Sequence, residues 1–138
     1  MQTVRVSVRD GVIQDAGSWL YVWRRDVDGD VVYVGATGMV PAVRTWLHLQ
    51  GDTPSVARVR NRYEGALTEA LEVIAFRLPG DVARREAKIE LVRQLSDGGL
   101  LSDVYVGDPP ERPGAETTPG VQQVVTEIMT QIGTGRQA

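Results

Sequence analysis

The chain has 138 residues and a mass of 15.1 kDa, the size of one ordinary domain. Hydrophobic residues make up 42% and charged residues 24%, so a conventional core is expected; the absence of cysteine excludes disulfides, thiolate metal sites and thiol catalysis, and the single histidine excludes multi-histidine metal centres. Fifteen basic against eighteen acidic residues give a net charge of −3, which counts against a nucleic-acid surface, and no apolar run reaches the ~18 residues that would span a bilayer, so a cytoplasmic protein with no membrane partner is expected.

Val4-Arg5-Val6-Ser7-Val8 alternates with period two and predicts a half-buried strand, closed by the turn signal Asp10-Gly11. Trp19 to Arg24 predicts a second strand. Asp26-Val27-Asp28-Gly29-Asp30 breaks it as a hairpin turn, and Val31 to Val34 returns as a third strand bounded by Gly35. After Gly38 the period lengthens: Val40, Val43, Trp46, Leu47 and Leu49 predict a helix with Pro41 in its first turn and Gly51 at its end. Thr53-Pro54 opens a further helical stretch with Val56, Val59, Tyr63 and Leu67 on its apolar side. Leu71 to Leu78 predicts a buried strand. Asp81 is the expected N-cap of a helix from Val82 to about Leu95, stopped by Gly98-Gly99.

The segment 107–119 holds four of the seven prolines and no apolar period, so it predicts a linker after a domain covering 1–106. A helix over 120–134 follows. Its Val121, Val124, Val125, Ile128, Met129 and Ile132 share one face, which must lie on the core, on a second copy in a homodimer, or on another protein partner. The order predicts an α/β (α+β) fold: a small mixed three- to four-stranded sheet flanked by helices, with a C-terminal linker and helix.

Two local patterns carry little. Asp26, Asp28 and Asp30 have the start of a calcium-loop spacing, but Val31 stands where such a loop needs glycine and Thr37 where it needs glutamate, so the hairpin turn is the better reading. Gly35-Ala36-Thr37-Gly38 lies between a strand and a helix but lacks the Gly-Lys-Ser/Thr ending of a nucleotide-binding loop.

A third constellation is more specific. Tyr21 ends Trp19-Leu20-Tyr21 in the second strand, and Tyr33-Val34-Gly35 ends the third strand of the same hairpin. Arg44 and His48 lie four apart on the following helix and project from one face. Glu86 lies in the first turns of the later helix. In order and spacing this set resembles the GIY-YIG nuclease family, over Trp19 to Leu95, more than half of the chain. Trp19 stands where the family has its first glycine. The asparagine that often follows the glutamate helix is missing, leaving Gln94, Ser96 or Asp97 for that place.

The resemblance implies metal-dependent endonucleolytic hydrolysis of DNA phosphodiester bonds, with Tyr21, Tyr33, Arg44, His48 and Glu86 as catalytic residues and Glu86 as the ligand of Mg²⁺ or Mn²⁺. Glu90, one turn on, competes with Glu86 for that role. A phenol is a poor base until a cation stands beside it, and Arg44 or the metal would supply one to Tyr33. Arg44 also suits a phosphate, and His48 suits proton transfer or the positioning of Tyr33. Arg58, Arg60 and Arg62, with Arg84 and Arg85, would track the DNA backbone or else form a solvated face. The alternative function is a GIY-YIG-like module that binds nucleic acid, or dimerises, without cutting. Residues 1–48 carry five basic and five acidic groups, 49–95 eight and seven, and 96–138 two and six, so the acidity lies in the tail and the opening objection to nucleic acid weakens.

Overall fold

The computed structural model describes residues 1–3, 5–111 and 117–136. A two-residue hairpin, β1 (Val8–Arg9) and β2 (Val12–Ile13), is followed by β3 (Trp19–Arg25), β4 (Val31–Thr37), α1 (Pro41–Gln50), α2 (Arg58–Arg62), β5 (Leu71–Arg77), α3 (Arg84–Asp97) and α4 (Pro119–Arg136). The result is an α+β protein. Its three-stranded sheet has the order β4-β3-β5, all antiparallel, and one parallel bridge joins Val31 to Leu101.

The alternation of β3 explains the layers. Leu20 and Val22 face one side and meet Ala87, Leu91 and Leu95 of α3. Tyr21 and Trp23 face the other and meet Val59 of α2 and Tyr63. As the central strand it is buried on both faces, which suits its aromatic and β-branched residues. The register slips between Trp23 and Arg24, so Val32 is an extra residue and both Val32 and Tyr33 face the aromatic side.

The N-terminal expectation needs correction. Val4 lies outside the described residues, and the pairing starts only at Val8, as a hairpin with Val12–Ile13. Asp10 and Gly11 both have positive φ (50° and 77°), the geometry of the tight turn that matches strand twist. Val8 and Val12 are each 60% exposed, because this hairpin is a separate two-stranded sheet with no layer beneath it. The aspartate turn is a turn: the Asp28 carboxylate accepts the Asp30 N–H at 2.9 Å and pairs with Arg25 at 2.6 Å.

Two helices are displaced from their expected bounds. The stretch after Pro54 is helical only over Arg58–Arg62, since Tyr63 turns into extended backbone (φ −106°, ψ 113°) and carries its ring into the aromatic cluster. The α3 helix starts at Arg84 after an extended Ala83 and has no side-chain cap, so Asp81 does not serve as one.

The C-terminal helix docks on its own core. Val121, Val125, Ile128 and Ile132 are buried in the same cluster as Leu91 and Leu95, with Val124 and Met129 at its margin. Fully burying an aliphatic side chain stabilises by about 1.5–3 kcal/mol, so these four hold α4 firmly. Arg24 adds a polar tie, with Nη1 donating to the Ile132 carbonyl at 3.5 Å while its Nε holds Glu72 at 2.8 Å. Of the linker, 112–116 lies outside the described residues. No helix among the described residues is long and apolar enough to cross a membrane.

Candidate functional site

Strand pairing brings the two tyrosines together. Tyr21 is directly opposite Gly35 and Trp23 opposite Tyr33, so Tyr21 and Tyr33 are diagonal neighbours on one face. Their rings lie 6.2 Å apart at 29°. The glycine of Tyr33-Val34-Gly35 has a steric reason: a Cβ at Gly35 would land on the Tyr21 ring and hydroxyl.

Helix α1 completes the cluster from above. His48, one turn beyond Arg44, points down between the aromatic rings, 5.4 Å from Tyr21, 5.0 Å from Tyr33 and 5.7 Å from Trp23 by centroids. The exposures of Tyr21, Tyr33 and His48 are 3%, 4% and 0%. His48 Nδ1 accepts the Val59 N–H at 3.4 Å, and Nε2 lies 2.5 Å from the Tyr21 hydroxyl. Burial, then the charges of Arg44, Arg58 and Arg62, push its pKa down to about 3, so the ring is neutral. A neutral ring that accepts at Nδ1 carries its proton on Nε2, which therefore donates to Tyr21. Tyr21 keeps its own proton to give, and Tyr33 is the phenol beside it. Burial first, and then Tyr33, raise the Tyr21 phenol far above its ordinary range, with Arg44 opposing.

Two arginines meet this chain. Arg44 is fixed by its Nη1 bond to the Val56 carbonyl at 2.8 Å and acts on Tyr21 and His48. Arg58, held to the Ser55 carbonyl at 2.9 Å, is raised above the ordinary arginine range chiefly by its hydrogen bond to Tyr33. The cation at Tyr33 is thus Arg58, a contact across 25 positions of sequence that no local pattern announces.

Tyr21, Tyr33, Arg44 and His48 are therefore brought together, and Glu86 is not in contact with them. Helix α3 packs on the opposite face of the sheet, and Glu86, in its first turn, is exposed with no hydrogen bond or ion pair among the described residues. It fits a hard cation as a single oxygen ligand, since Mg²⁺ commonly takes one or two carboxylates and fills its remaining positions with water and phosphate. Glu90 does not fit. It is 4% exposed, paired with Arg93, and its Oε1 also accepts Gln94 at 3.2 Å and Gln122 at 3.0 Å. Gln94 is thereby committed to α3, Asp97 pairs with Arg93 at 3.1 Å, and Ser96 is exposed. Among the described residues no group of three or more His, Asp or Glu is placed to hold a metal.

The arginine run divides. Arg58 and Arg62 share one side of α2, whereas Arg60 points away and donates to the Leu49 and Gly51 carbonyls at 3.0 and 2.8 Å, closing the end of α1. Arg84 and Arg85 lie on α3, and Arg85 lines a cavity with Lys88 and Asp108. Trp19 donates to the Ala16 carbonyl at 3.3 Å and lies beneath Arg77, 5.8 Å from ring centre to guanidinium. Compared with models of known protein families, with curated proteins and with solved structures, the chain matches none.

Proposed function

We propose that the protein is a GIY-YIG-type endonuclease that hydrolyses DNA phosphodiester bonds with one divalent metal. The observation that carries this reading is the directed chain from the Val59 N–H through neutral His48 to Tyr21, ending at Tyr33 beside Arg58. In that chain Tyr33 lies against Tyr21, with ring centres 6.2 Å apart, and acts on both Tyr21 and Arg58. Tyr33, its own proton first passed to solvent, takes the proton of a water as the water oxygen attacks phosphorus and the bond to the leaving oxygen breaks. The Tyr21 hydroxyl and Arg58 offset the negative charge on Tyr33. Arg44 stabilises the charge that develops on the phosphoryl oxygens. Glu86 would hold Mg²⁺ or Mn²⁺, and the metal would supply charge stabilisation to the phosphate. His48 acts by holding Tyr21, since a neutral ring that keeps its proton on Nε2 orients the hydroxyl.

Nicking of supercoiled plasmid with Mg²⁺ or Mn²⁺ tests this. Arg44→Ala is expected to lose about 10²–10³ in rate, and Glu86→Ala to abolish metal dependence. Equal nicking by both variants and wild type removes the site. The burial of Tyr33 favours a second reading, a nucleic-acid-binding module that does not cut. Retained oligonucleotide binding with no metal-dependent nicking by wild type selects it.

A further inference from the structure

We propose that Lys88, Arg58 and Arg62 form a phosphate-binding subsite beside Tyr33, which Asp108 occupies from within the chain as an anion in the ligand's place. The inference deepens the proposed function, but binding to the subsite is measured without any cutting.

The segment before Asp108 runs along β4. The Val106 N–H donates to the Val32 carbonyl at 2.8 Å, one residue from Tyr33. The Tyr105 hydroxyl donates to the Asp108 carbonyl oxygen at 2.7 Å and fixes the turn. Lys88 Nζ, reaching from α3, donates to the Asp108 carboxylate at 2.6 Å. From α2, Arg62 Nη1 reaches the Val106 carbonyl at 3.5 Å, and Arg58 acts on both Tyr33 and Asp108. Lys88 foremost, then Arg58 and Arg62, hold the Asp108 carboxyl below its ordinary range. Three cations from two helices therefore act on one carboxylate at the β4 edge.

Two features make this carboxylate a replaceable anion. It is 59% exposed at the side chain, so its pair with Lys88 is of the weak, screened kind. A phosphate carries at least the same charge and offers more acceptor oxygens to guanidinium and ammonium groups. The shared chemistry is a phosphate group, whether from a nucleic-acid backbone or free in solution.

The test is an NMR titration of inorganic phosphate into wild type and Asp108→Asn at pH 7.5 and low ionic strength. Asparagine keeps the backbone carbonyl that Tyr105 bonds, so an unchanged melting temperature is expected; Asp108→Ser repeats the comparison with a second neutral side chain. The neutral variants are expected to bind phosphate about tenfold tighter, the effect of removing one like charge a few ångströms away at a protein surface. Adding Lys88→Gln to Asp108→Asn is expected to cancel that gain, and high salt to shrink it. Equal affinity in wild type and both neutral variants, or a gain that survives Lys88→Gln, overturns the subsite. A short oligothymidylate that competes with phosphate in Asp108→Asn identifies the source as a nucleic-acid backbone; phosphate binding without competition identifies it as free phosphate. Plasmid nicking is read separately, so a protein that binds phosphate and cuts nothing keeps the subsite and loses only the hydrolytic reading.

Discussion

His48 makes stability depend on pH in the imidazole range, above the ordinary carboxylate range. The unfolded imidazole titrates near 6.5 and the folded one near about 3, because burial and then Arg44, Arg58 and Arg62 disfavour the charged ring. Below pH 6.5 the unfolded chain takes up a proton that the folded chain refuses, so stability falls as pH falls and continues to fall until about pH 3. At pH 5 the deficit is about 2 kcal/mol, one and a half pH units at about 1.4 kcal/mol each. Glu90 and Asp108, held low chiefly by Arg93 and Lys88, keep their stabilising contributions above their ordinary values and lose them only as the pH falls lower still. Urea unfolding at pH 7.5 and pH 5 reads the difference. With a slope of about 2 kcal/mol per molar urea, the wild-type midpoint drops by about 1 M. In His48→Gln the absolute stability is lower, but that pH-dependent drop disappears. An equal drop in the variant would mean that His48 is not the group refusing the proton, and the tautomer argument at Tyr21 would go with it.

Other substitutions separate structural from functional roles. Gly35→Ala drives a methyl into the Tyr21 ring and should cost about 1–3 kcal/mol by thermal melting, with loss of nicking. Glu90→Gln strips Arg93 and Gln122 of a buried carboxylate and should destabilise by about 3 kcal/mol, whereas Glu86→Gln, exposed and without a partner among the described residues, should leave the melting temperature unchanged. Arg60→Ala leaves the Leu49 and Gly51 carbonyls without their donor and should cost about 1–3 kcal/mol; an equal cost for half-buried Arg84→Ala would contradict the division of the arginines.

Wherever the signal was local, the sequence was legible. Alternation in Leu20–Trp23, the Asp10-Gly11 and Asp28-Gly29 turns, and the single apolar face of α4 each appear in the structure. Tyr21, Tyr33, Arg44 and His48 lie together in the structure because a hairpin register and one helical turn fix their relative positions. What was not legible depends on layers. Alternation in Val4–Val8 cannot say whether a sheet lies beneath it. Equal spacing in Arg58, Arg60 and Arg62 cannot say that Arg60 is spent on the end of α1. Glu86 and Glu90 look alike in sequence and are told apart only by the packing of α4 against Glu90.

In the proposed reaction Tyr33 is the phenol that takes the proton of the attacking water. Single-turnover nicking with Mg²⁺ compares Tyr33→Phe with Tyr63→Phe, since Tyr63 is a second buried phenol of the same cluster whose hydroxyl is spent on Glu69 at 2.5 Å. The expected result is a loss of about 10²–10⁴ for Tyr33→Phe and near wild-type nicking for Tyr63→Phe. Equal rates in the two variants would contradict it.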